Sequence, residues 1–315
     1  MIESMPVVDA HHHFWDIPGN YHPWLCDDPM IPFRYGDYTA LRKPFMPRDY
    51  ESASRKFTVV KSVTVEAEWN PQDPLGETRW IHRVADEFGR PHAHVAQAWL
   101  DSRNAEEILA GQAEFPLVRG IRHKPAGSER PLPGTTAEPG GLSDPAFQRG
   151  YSLLARYGLS FDLQTPWWHL PEALKLGEKF PETLIILNHT GLPSDRSPEG
   201  LSAWRSAMKT FAQFPNAMVK ISGLGLPGKP WLLEDNRGII LDTLEIFGLE
   251  RCMFASNFPV DSLVGDFDTI FSGFLEAVRD LDPGEKRKLF VENALRIYRI
   301  DAQSSGRGTE TAAVR

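Results

Sequence analysis

Short apolar runs alternate along this chain with stretches in which apolar residues recur at helical spacing. Residues 7–13, 58–66, 94–100, 117–123, 159–164, 183–189, 217–222 and 251–257 are dominated by β-branched and other apolar side chains, and the pattern predicts a strand at each. Between them, periodic apolar positions predict helices over 74–88, 105–115, 147–157, 170–180, 204–214 and 239–247, with two more over 267–281 and 283–298. Strands that read as nearly continuous apolar runs belong in a parallel sheet covered on both faces. Eight of them, with no G-x-G-x-x-G or Walker-type loop, predict an α/β fold: a (β/α)8 TIM barrel forming one domain over residues 1–301.

Three segments break the alternation. Residues 18–47 follow the first strand without periodicity, yet they carry Tyr21, Trp24, Phe33, Tyr35, Tyr38 and Phe45. A long loop this aromatic is expected to close over the mouth of the barrel as a lid. Residues 126–144, after the fourth strand, are rich in Pro, Gly and Ser and are expected to form a flexible insertion. The small, polar residues 302–315 are expected to be a disordered tail.

Polar residues concentrate where the strands end. His11 and His13, Glu66, Asp101, Arg122 and His123, Asp162 and Gln164, His189, Lys220 and Ser222, and Asn257 all lie at or near the C-terminal ends of predicted strands. Any one of them has a plain structural explanation: Asp101 and Asp162 would serve as helix N-caps. In a barrel, however, these ends converge on one face, where such folds build their sites. Side chains two apart on a strand face the same way, so His11 and His13 project together while His12 points elsewhere. Two imidazoles so placed make half of a metal site or an acid–base pair.

Composition narrows the functions. The net charge of −8, without a long basic run, argues against nucleic acid or an anionic membrane surface as partner. Two cysteines in 315 residues supply neither a disulfide framework nor a Cys-based zinc cluster, as expected in a reducing cytosol. The first residues lack a basic region followed by an apolar core, so no secretory signal is expected, and no apolar run approaches the ~20 residues of a membrane span. A cytoplasmic enzyme with a small-molecule substrate is the expectation, and a homodimer is compatible with it.

The run Asp9-Ala10-His11-His12-His13-Phe14-Trp15 resembles the opening strand of the amidohydrolase superfamily, and more narrowly the amidohydrolase-2 branch that includes sugar-acid lactonases and 2-pyrone-4,6-dicarboxylate lactonase. Asn188-His189-Thr190-Gly191, Ile121-Arg122-His123 and the closing Asn293-Ala294-Leu295-Arg296-Ile297-Tyr298 are similar to that branch as well. The resemblance implies a (β/α)8 barrel with one divalent ion, zinc above all, held by His11, His13 and His189, although some lactonases of the branch work without metal. It further implies hydrolysis of a lactone in carbohydrate or aromatic-acid breakdown, and the strand-end residues Glu66, Arg122, His123, Gln164 and Lys220 are the expected substrate contacts. A metal-dependent decarboxylase and a catalytically impaired ligand-binding barrel are the alternatives. One position departs from the pattern. The last strand of these enzymes usually ends in Gly-Ser/Thr-Asp-Trp/Tyr-Pro, and here the aspartate is replaced by Asn257, within Ala255-Ser256-Asn257-Phe258-Pro259-Val260-Asp261. An amide accepts no proton near neutral pH. Asp261 is the expected stand-in as general base, with Asn257 beside it and Glu66 as the next candidate.

Overall fold

The computed structural model describes residues 5–132, 135 and 137–301. The expected tail over 302–315, residues 1–4 of the N-terminal stretch, and positions 133, 134 and 136 of the loop after the fourth strand lie outside them. Eight parallel strands follow one another in sequence order: β1 (Pro6–His12), β2 (Thr58–Val65), β3 (Ala93–Gln97), β4 (Val118–Arg122), β5 (Ser160–Leu163), β6 (Ile185–Leu187), β7 (Ala217–Ile221) and β8 (Cys252–Phe254). The sheet closes where His12 bridges Phe258 and the amide of Asn257 donates to the His11 carbonyl at 2.8 Å. Asp9 locks the same seam. Its carboxylate is fully buried and accepts the Ser256 amide at 2.8 Å, the Ser256 hydroxyl at 2.6 Å and the Tyr50 hydroxyl at 2.7 Å. The predicted (β/α)8 barrel is the observed fold.

Helices such as Gly76–Phe88, Leu170–Lys179, Pro198–Phe211 and Phe267–Ala277 turn apolar faces onto the strands. Close contact between layers constrains particular residues. A Cβ at Gly120 of β4 would lie 2.3 Å from the Ser160 hydroxyl on β5, so only glycine permits the two strands to pair there. No helix among the described residues is long and apolar enough to cross a membrane.

Several boundaries differ from the sequence pattern for identifiable reasons. The strands stop one to three residues earlier than their apolar runs. The helix predicted at 204–214 begins at Pro198, where Ser197 caps it by accepting the Gly200 amide at 3.0 Å. The final stretch is one continuous rod only in outline: a π-helical turn, Lys288–Glu292, separates Pro283–Arg287 from Asn293–Ile297. Asn293 then donates to the Leu249 and Cys252 carbonyls, both at 2.7 Å, tying the rod to β8. The described part of the 126–144 loop is anchored, with the Ser128 amide donating to His169 at 3.0 Å and Gly141 to the Ala126 carbonyl at 2.8 Å.

Candidate active site

A column of buried polar groups runs along the barrel interior. Tyr298 donates its hydroxyl to Asp162 at 3.0 Å, and Asp162 also accepts from Asn188 at 3.0 Å and from Lys220 at 2.6 Å. Lys220 and Asp162 are both fully buried, so the pair stands only because these extra hydrogen bonds offset desolvation; removing one partner of such a pair typically costs about 3–5 kcal/mol. Lys220 Nζ lies 3.5 Å from His11 Nδ1, and His11 Nε2 lies 3.3 Å from His13 Nε2. His13 completes the column by donating Nδ1–H to the Val65 carbonyl at 2.7 Å, which puts its ring lone pair on Nε2, facing His11.

The third imidazole enters from the other side. His189 follows β6 in a left-handed turn (φ 55°), its ring centroid 4.7 Å from that of His11, and Ser222 engages its Nδ1 at 2.9 Å. Gly223, also left-handed (φ 60°), makes room for it: a Cβ there would stand 2.6 Å from His189 Nδ1 and 2.8 Å from an Arg34 nitrogen. All three rings are held well below the usual histidine pKa. Burial is the main cause, reinforced by Lys220 for His11, by Arg122 for His13, and by Arg34 and Arg122 for His189. They are therefore neutral near pH 7, with ring nitrogens able to accept hydrogen bonds or ligate an ion. His12, on the opposite face of β1, packs against Phe14 and Tyr50 at 4.6 and 4.5 Å and takes no part.

At the end of β8, Asn257 has a left-handed backbone (φ 56°), a conformation asparagine tolerates better than most residues. Its side-chain amide donates to Asp261 at 2.6 Å. Asp261 also accepts the Tyr35 hydroxyl at 3.0 Å and faces Arg34 at 3.5 Å, while its second oxygen has no partner. Burial raises its pKa against the opposing pull of Arg34, Asn257 and Tyr35.

Above these groups opens a cavity of about 260 Å³. Of the residues expected from the sequence, His13, His189, Arg122, Gln164 and Asn257 line it. Arg122 donates to Glu66 at 2.5 Å and to Gln164 at 3.1 Å, so one guanidinium joins β2, β4 and the end of β5. The others sit elsewhere. His11 and Lys220 lie beneath His13, Glu66 stands behind Arg122, and Asp261 stands behind Asn257. His123 faces away, accepting the Leu100 amide at 3.1 Å with its ring 5.3 Å from Phe147, because neighbours on a strand point to opposite faces. The cavity also contains residues that the strand-end pattern did not single out. Lys124 has a readable signal, being two residues beyond Arg122 and so on the same face. Arg34 has none: it arrives from the aromatic loop, donating to the Gly223 carbonyl at 3.4 Å. That loop does close over the cavity, with Trp24 and Phe33 in its wall and stacked on each other at 5.7 Å.

The donors fit a metal ion in part. Two nitrogens bound tetrahedrally to zinc at about 2.0–2.1 Å lie roughly 3.3–3.4 Å apart, the His11–His13 separation, and the His13–carbonyl bond is the usual outer-shell support. Among the described residues, no three His, Cys, Asp or Glu side chains form a complete set. The fit stops at the pair.

Comparison with known proteins agrees with the fold. The family model described as Amidohydrolase matches residues 8–300. The chain is 37% identical over 299 residues to the uncharacterized protein y4mH of Sinorhizobium fredii, covering 95% of this chain and 100% of that one. It is 25% identical over 315 residues to an L-fucono-1,5-lactonase of Burkholderia multivorans, covering 95% and 98%. The crystal structure of a Burkholderia multivorans amidohydrolase with bound zinc superimposes with a TM-score of 0.74 at 24% identity, over 94% of this chain and 100% of that one.

Proposed function

The chain belongs to the amidohydrolase family, and from that premise we propose that it opens a lactone ring by water attack on the ring carbonyl. One observation carries the reading: neutral imidazoles and a fixed arginine line one side of a small, aromatic-walled cavity, in a chain similar to an L-fucono-1,5-lactonase. Arg122, held by Glu66 and Gln164, presents positive charge to the carbonyl oxygen as it becomes an oxyanion. His189, in the tautomer with its proton on Nδ1 toward Ser222, takes the water's proton at Nε2. The water oxygen bonds to the carbonyl carbon, the ring carbon–oxygen bond breaks, and the proton passes from His189 to the departing ring oxygen, leaving a hydroxy acid. Trp24 and Phe33 exclude other water. A divalent ion, if bound, would be held by His11 and His13 next to His189 and would supply polarisation of the carbonyl and acidification of water.

A panel of sugar-acid and pyrone lactones followed by pH indicator, with and without chelator, tests the proposal. Acid release on at least one lactone is the expected result, and His189→Gln should lower the rate by about 10²–10⁴. Elemental analysis of protein purified without chelator should find at most about one equivalent of metal per chain. Carbon dioxide release in place of ring opening would identify a decarboxylase, and binding without turnover would identify an impaired barrel.

A further inference from the structure

Beside the first cavity lies a second, of about 310 Å³, which the proposed hydrolysis leaves unused. The two share Trp24, Glu68, Arg122 and Lys124 in their walls. Part of the wall they share is a half-exposed ion pair, Glu68 with Lys124. An exposed pair of this kind contributes little to stability, so a ligand can part it at small cost. Glu68 itself has a left-handed backbone (φ 56°), an uncommon conformation for glutamate that tends to occur at ligand sites.

The walls of the second chamber combine indole side chains, Trp69 and Trp99 in addition to Trp24, with Glu66, His123 and Gln97. Aromatic faces accept the C–H face of a ring, and the polar side chains between them accept and donate hydrogen bonds. Gln97, at the end of β3, lines the chamber. A ring hydroxyl both donates to and accepts from an amide such as that of Gln97, whereas an apolar ring does neither and a carboxylate only accepts. We infer that this chamber is a subsite for a second, hydroxyl-bearing ring, so that the substrate is a glycosylated aldonolactone whose lactone occupies the first cavity and whose sugar substituent rests on Trp99 and bonds Gln97. The lactone half of the assignment rests on the function proposed above; the ring-binding half does not.

The test compares kcat/KM for glucono-1,5-lactone with that for its 4-O-glucosyl and 4-O-galactosyl derivatives. It also titrates the open-chain 4-O-glucosyl gluconate calorimetrically, which needs no turnover. At least one glycosylated lactone should be preferred by about tenfold or more, since binding energy from the remote ring is used at the reacting centre. Trp99→Ala should bring the ratio toward one and abolish the titration heat. Gln97→Leu, which removes a side-chain oxygen that makes no hydrogen bond within the protein, should lower both and carries the test if Trp99→Ala fails to fold. Binding of the gluconate without hydrolysis of any lactone would uphold the subsite and defeat the lactonase reading. Hydrolysis with a ratio of one and no titration heat would overturn the subsite alone, as would a preference that survives both substitutions.

Discussion

Asn257 and Asp261 show how one amide substitution changes the work of a neighbouring carboxylate. Asn257 fills the position where the family pattern has an aspartate, and its amide turns back to donate to Asp261. Asp261 receives that bond on the oxygen that also accepts Tyr35 and faces Arg34, and Asn257 stands between it and the cavity. We therefore assign Asp261 to positioning: it aims Asn257 and holds Arg34 against the rim. Asp261→Asn should lower kcat about tenfold, roughly the value of one charge-assisted hydrogen bond, and the melting temperature should fall with it. A loss of about 10³ in kcat with an unchanged melting temperature would instead make Asp261 the general base.

At the level of elements, the aromatic loop after β1 is a packed structure. Its short helix Pro23–Cys26 is pinned by Arg42, which donates to the Leu25 carbonyl at 2.7 Å and the Cys26 carbonyl at 3.0 Å. Trp24 meets Phe33, Tyr38 and Trp15 at centroid distances of 5.7, 5.4 and 5.7 Å. Met30 and Ile31, by contrast, are exposed, and Ile31 and Pro32 reach the cavity wall. The base of the loop thus carries the packing and its tip carries the closure. Replacing residues 30–32 with glycines should lower kcat/KM by about 10²-fold through loss of positioning and water exclusion, while the melting temperature shifts by only a few degrees. Activity and thermal melting of the same preparation separate the two effects, and a variant that does not fold would make the tip part of the core.

The whole molecule buries histidines as neutral rings, which couples its stability to acid. Burial pushes His94 down to about 3 and His92 to about 4, and it lowers His12 far below its ordinary value. Above the unfolded histidine pKa of about 6.5 neither state is protonated and these rings contribute no pH dependence. Below it the unfolded chain binds protons that the folded chain refuses, so each such ring should cost about 1.4 kcal/mol per pH unit until its folded pKa is reached. Urea midpoints measured between pH 7.5 and 4.5 should stay level down to about 6.5 and then fall, and His94→Gln should flatten that fall. A level midpoint throughout would mean the rings are protonated inside the fold. At this scale the division between sequence and structure is also clearest. Alternating apolar runs and periodic helices determined the barrel by themselves, because burial on both faces of a parallel strand demands a local pattern that any reader of the chain can see. The same logic placed His13, Arg122, Gln164, His189 and Asn257 at one rim. Which strand-end residues face the first cavity, however, depends on pleat parity and on the depth at which each strand stops: His123 turns away from it toward Leu100 and Phe147, and Lys220 sinks into its pair with Asp162 beneath His11. Arg34 and the Trp24 wall of both chambers come from the loop after β1, which meets strand ends far from it in the chain. Contacts between residues far apart in the chain leave no periodic trace in it, so tertiary structure alone decided them.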